Sequence, residues 1–202
     1  MIRKFSKAIS FVFSPIVIPT YAVALMLNVT ELAFVPLATR LLTVGVVFFL
    51  TALGPMTVIG VMCKLNMVEN VSLTERNDRF WPYAASVAFY IMTIGYFWLV
   101  GAPRWLIGFM AGATAALICV ALINRWWKIS AHATAIAGLL AIVVCLTMHA
   151  VYPLGALVML TIAAVIAGIV GVARLMLEAH TPMQVYAGYA VGFISVLFFT
   201  II

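Results

Sequence analysis

The chain has 202 residues, 67% hydrophobic and 8% charged, with a net charge of +6 and a mean hydropathy of +1.25. A soluble domain is about half apolar and about a quarter charged. This composition excludes a soluble globular domain, a disordered chain and a disulfide scaffold, and leaves an all-α, polytopic transmembrane helix bundle. Strands of a transmembrane barrel would alternate apolar and polar residues, whereas the apolar runs here are continuous.

In chain order the apolar runs cover 9–28, 41–63, 83–101, 105–124, 132–151, 153–173 and 183–202. Each approaches the ~20 residues that a helix needs to cross the hydrocarbon core. The first follows Arg3, Lys4 and Lys7 and contains Pro15 and Pro19. It reads as a retained membrane segment, kinked or re-entrant, so six or seven segments are expected in a single domain over 1–202. Cys63, Cys119 and Cys145 lie far apart inside apolar runs and read as packing residues.

The connections are uneven. The turns at Gly101–Arg104 and His149–Pro153 are minimal, while Lys64–Pro82, Arg125–His132 and Arg174–Pro182 are polar. Two membrane segments separate each polar loop from the next, so all three must lie on one side of the bundle. They carry Arg76, Arg79, Arg125, Lys128 and Arg174, together with His132 and His180. His149 lies at the far end of its helix, 17 residues or roughly 25 Å from His132, and reads as an interfacial packing residue.

Arg76 and Arg79 are three apart and share a face on a helical turn. Two guanidinium forks there suit a phosphate, although a headgroup-level loop neutralised by Glu75 and Asp78 reads equally from this stretch. Ser130 stands at an N-cap position before the apolar run, with Ala131 and His132 opening the helix. A helix N-terminus of this kind accepts anions. Thr181, Pro182 and Gln184 form a helix start with an N1 proline and a capping-box glutamine. That pattern leaves Arg174 and His180 unexplained, and ionisable groups beside membrane helices usually mark a site. Together the three loops offer guanidiniums, a capped helix end and two histidines, one able to attack phosphorus and one to protonate a leaving oxygen. No carboxylate-rich cluster is present to hold magnesium. The chemistry suggested is metal-independent phosphoryl transfer from a lipid phosphate, with no cofactor. The expected partners are the bilayer and that lipid; nucleic acid is not expected, and oligomeric state stays open.

The order Arg79, then Ser130-Ala131-His132, then Arg174-x5-His180-x3-Gln184 resembles the three-motif signature of the type 2 phosphatidic acid phosphatase superfamily. That superfamily includes membrane lipid phosphatases and vanadium haloperoxidases. Its motifs are Lys-x6-Arg-Pro, Pro-Ser-Gly-His and Ser-Arg-x5-His-x3-Asp. The similarity covers about 73–192 and is greatest to a bacterial membrane branch over 179–189, which implies a place in the bacterial cytoplasmic membrane. The resemblance implies that His180 forms a phosphohistidine and that His132 is the general acid. It implies that Arg79, Ser130, Arg174 and the amide of Ala131 hold phosphate, with Arg76 and Lys128 as further cations. Departures are Ser72 for the lysine, Phe80 for the proline after the arginine, Ile129 and Ala131 in the second motif, and Ala173 and Gln184 in the third. A glutamine can fix the tautomer of the histidine, but it supplies no charge. Two alternatives therefore stay open: a catalytically degenerate protein of the same fold that binds lipid phosphate, and a small transporter. Most cations lie on the loop side, which the positive-inside rule places in the cytoplasm; bacterial lipid phosphatases of the family usually act on the outer face.

Overall fold

A computed structural model describes residues 1–70, 77–148 and 153–201. Among them the regular structure is helical throughout, and the chain is an all-α polytopic bundle. Six helical stretches are long and apolar enough to span a membrane: Leu37–Lys64, Phe80–Leu99, Arg104–Ile123, Ala131–Met148, Leu154–Met176 and Pro182–Ile201. Their bounds lie within a few residues of the expected runs.

The first apolar run is not a single segment. It divides into α1 (Ile2–Val12) and α2 (Ile18–Val29). Pro15 and Pro19 have no N–H to continue a helical ladder, so the first helix stops and the second restarts with proline in its opening turn. Helix α1 is amphipathic. Ser6 is 3% exposed and faces the protein, while Ile2, Phe5 and Val12 point outward beside the exposed Arg3, Lys4 and Lys7. Helix α2 has 12 residues, about 18 Å of rise, shorter than the hydrocarbon core. It nevertheless runs from the end bearing the three polar loops to the opposite end. There Trp105 Nε1 donates to Glu31 at 3.2 Å, and Arg40 Nη1 donates to Asn28 Oδ1 at 2.7 Å.

The next span comprises α3 (Leu37–Phe48), a π-helical turn (Phe49–Leu53) and α4 (Gly54–Lys64). Pro55 cannot donate to the preceding turn, and the wider turn sits where that bond would fall. Then follow α5 (Phe80–Leu99), α6 (Arg104–Ile123), α7 (Ala131–Met148), α8 (Pro153–Met176) and α9 (Pro182–Ile201). The core gathers around Met26, Phe97, Leu106, Met110 and Ile142, all 2% exposed or less.

Helix α9 is the hub and packs most closely on α7 and α6. Glycines permit this. A Cβ on Gly192 would fall inside contact distance of the Thr134 carbonyl, and one on Gly188 would lie 2.7 Å from Ser130 O. On α6, a Cβ at Gly112 would come 2.7 Å from Val196 Cα. On α8, Gly171 accommodates the Tyr189 side chain, whereas Gly168 has open space around it.

Candidate functional site

The close approach of α9 to α7 joins two of the three loops. Ser130 N donates to the backbone carbonyl of Gln184 at 3.3 Å, which links the start of α7 to the first turn of α9. Ser130 is fully buried. Its hydroxyl accepts from Ala133 N at 3.3 Å, so it is the N-cap of α7 that the sequence implies. Its carbonyl accepts from both the amide and the hydroxyl of Thr134, each at 3.0 Å. Ala131 opens α7 beside it.

The third loop leaves α8 through a tight turn. Leu177 N bonds Ala173 O and Ala179 N bonds Arg174 O, with Glu178 in the left-handed region at φ 53°. This turn delivers His180, 8% exposed, to the face shared with Arg174. Gln184 Oε1 lies 3.1 Å from both Thr181 N and His180 Nδ1. The Thr181 amide can only donate, so the atom it meets is the glutamine oxygen. That oxygen can only accept, so His180 carries its proton on Nδ1. The Nε2 lone pair is then left for chemistry. Gln184 is thus both capping residue and imidazole orienter. Burial first, and then the charge of Arg174, holds the His180 imidazolium below its ordinary 6.5, at about 4. Arg79 and Lys128 push in the same direction more weakly, while the Gln184 contact opposes them. At neutral pH His180 is an uncharged imidazole.

Arg79, 8% exposed, stands at the N-terminus of α5 and hydrogen-bonds Tyr83. It is near enough to Arg174 for the two charges to act on one another. The ionisable neighbours of His132 are Arg174, His180 and Arg79. The structure therefore draws His132, His180, Arg79, Arg174, Lys128, Ser130, Ala131 and Gln184 to one end of the bundle. Arg76 lies outside the described residues, as do Ser72 and His149. The Arg125 guanidinium sits 5.4 Å from the centre of the Phe80 ring, a cation–π contact at the mouth of the first loop.

One participant is absent from the sequence reading. Ser10, on the inner face of α1, touches two of the expected site residues. His132 Nε2 donates to its carbonyl at 3.0 Å, and Arg174 Nη1 donates to its hydroxyl at 3.2 Å. The signal was available: Ser6 and Ser10 are four apart on the inner face of an otherwise cationic and apolar helix. Arg174 Nε is buried with no hydrogen-bond partner among the described residues. Among those residues, no three His, Cys, Asp or Glu side chains converge as metal ligands would.

Chemically, the cluster combines concentrated positive charge, an unpaired buried guanidinium donor, a helix N-terminus and two imidazoles. Such a site accepts an oxyanion. Searches of family models, curated proteins and solved structures find no match to this chain.

Proposed function

We propose that this protein is an integral-membrane phosphatase of lipid phosphates, working through a phosphohistidine on a fold of the type 2 phosphatidic acid phosphatase kind. One observation carries the reading: the Arg174 guanidinium stands beside both His132 and His180 with a buried Nε–H left unpaired. An unpaired buried donor is costly, and a phosphate oxygen is the acceptor that suits a guanidinium fork. Arg79, Lys128 and the Ser130–Ala131 helix start add to the same charge.

In this reading His180 Nε2 attacks phosphorus while the bond to the leaving oxygen breaks. With the phosphate dianion bound, His132 is the imidazolium and gives its Nε2 proton to that oxygen, becoming neutral imidazole. Water then attacks the phosphohistidine, His132 takes the proton back, and orthophosphate leaves. The leaving oxygen would replace the Ser10 carbonyl as the acceptor of the His132 N–H. Gln184 holds the His180 tautomer without adding negative charge.

The test is phosphate release by purified protein in mixed micelles. Phosphatidate, phosphatidylglycerol phosphate, polyprenyl diphosphate and lipid A are offered, with His180→Ala alongside. Release that disappears in the variant, with an acid-labile phosphoenzyme trapped in the parent, is the expected result. The neutral His180–Gln184 pair favours one second reading, a binder that grips the same phosphate without turnover. It predicts saturable binding that survives His180→Ala. The cations at the site end (Arg3, Lys4, Lys7, Lys64, Arg79, Arg125, Lys128 and Arg174) outweigh Arg40 and Arg104 opposite. By the positive-inside rule this charge favours a cytoplasmic site, against the outer face on which bacterial lipid phosphatases of that kind usually act.

A further inference from the structure

Helices α6 and α7 each pack chiefly on α9 and only lightly on one another. Between them, and under the Pro15–Pro19 link into α2, lies a narrow cleft, part of it open to the exterior. Its walls include Ala113, Leu117 and Val120 of α6 and Ala131, Ala135 and Leu139 of α7. They are almost wholly apolar. Of the two hydroxyls on the lining, Thr134 is already committed to the Ser130 carbonyl.

The place and length of the cleft are informative. Its upper end is Ala131, the residue beside the phosphate site. From there to Leu139 is eight residues, about 12 Å of helix rise. On α6 the lining runs from Phe109 to Val120, about 16 Å. One leaflet of a ~30 Å hydrocarbon core is about 15 Å deep. The small side chains of Ala113, Ala131 and Ala135 keep it open where larger ones would close it.

We propose that this cleft seats the hydrocarbon chain of the lipid phosphate, so that the protein takes lipids presenting one slim, straight chain beside the phosphate. The proposal rests on the phosphate site described above. A second chain, where the lipid has one, stays in the bilayer. The headgroup lies at the mouth beside Ala131, and the chain end reaches Phe109 and Leu139.

The experiment uses full-length protein in nanodiscs and an alkyl phosphate carrying a diazirine at the end of a 12-carbon chain. Photolabelling followed by peptide mass spectrometry should place the label near Phe109 and Leu139. Ala113→Phe, which fills the cleft, should cut that labelling at least tenfold. It should also lower kcat/KM for dodecyl phosphate at least tenfold relative to butyl phosphate. Leu117→Ala, which widens the cleft, should shift the same ratio toward methyl-branched chains and guards against a misfolded Ala113→Phe. Label scattered over outward-facing residues such as Ile162 and Phe198, unchanged in Ala113→Phe, would overturn the proposal. Labelling deep in the cleft without hydrolysis of any alkyl phosphate would support the cleft and sink the phosphatase reading, so the two fail separately.

Discussion

Gln184→Glu isolates the missing charge beside the imidazole that Gln184 orients. The change is isosteric and keeps a good N3 residue at the start of α9. It places a carboxylate oxygen where the amide oxygen stands, 3.1 Å from His180 Nδ1. Two unit charges about 4 Å apart attract by about 4 kcal/mol at an effective dielectric of 20, and one pKa unit is about 1.4 kcal/mol. Arg174, Arg79 and Lys128 compete for the new charge, so a rise of about 1 to 3 units is expected. His180 then moves from about 4 to between about 5 and 7. Histidine-labelled NMR in micelles reads this directly, with His180→Ala assigning the resonance. The same shift has a consequence for stability. In the parent protein the unfolded chain takes up the His180 proton near 6.5 and the folded one near 4. Stability is therefore complete above pH 6.5 and falls as pH drops toward 4, by up to about 3 kcal/mol. In Gln184→Glu that acid loss should shrink by about 1.4 kcal/mol for each unit of the rise. An unmoved His180 titration would refute the argument, because the carboxylate would then not face the imidazole.

The His180 resonance of the parent protein in histidine-labelled NMR should titrate near 4; a titration near 6.5 would show an exposed imidazole. Gly192→Ala should lower stability by about 1–3 kcal/mol or more in thermal unfolding, because its Cβ meets α7 backbone and not a mobile side chain. Gly45→Ala, with open space around it, should be neutral or stabilising by up to about 1 kcal/mol. Ser10→Ala removes the hydroxyl that occupies Arg174 Nη1. The KM for lipid phosphate should fall about 2- to 10-fold, following a hydrogen bond worth about 0.5–1.5 kcal/mol; a rise in KM would make Ser10 a substrate ligand instead.

The spans were legible because a membrane helix announces itself by length and apolarity, and six stretches match the expected runs closely. The clustering of the polar loops was legible too, since alternation of spans fixes the side on which each loop emerges. The break at Pro15 and Pro19 was only half visible. Proline signals a kink or a stop, and what decides between them is the tertiary contact of α1 with α8, which no local pattern encodes. For the same reason Ser10 escaped notice. It sits more than 120 residues from both of its partners, and a serine on an amphipathic helix is ordinary until the fold brings a histidine to it. The dual role of Gln184 was readable in each half, as capping residue and as histidine partner. Only the geometry shows one oxygen serving both.

That shared oxygen joins packing to chemistry. Gly188 and Gly192 let the α9 backbone approach α7 more closely than any side chain would permit. The same approach brings the Gln184 carbonyl to Ser130 N, so the register between the two helices also sets the register between the capped helix end and His180. A half-ångström displacement of α9 would lengthen the 3.3 Å bond beyond hydrogen-bond range. It would also move the His180 imidazole away from the start of α7. Substitutions at these glycines should therefore weaken phosphate binding as well as stability. A variant such as Gly188→Ala that unfolds no earlier than the parent, yet binds orthophosphate several-fold more weakly, would separate the two effects and show that α9 positions the site and does not merely hold it together.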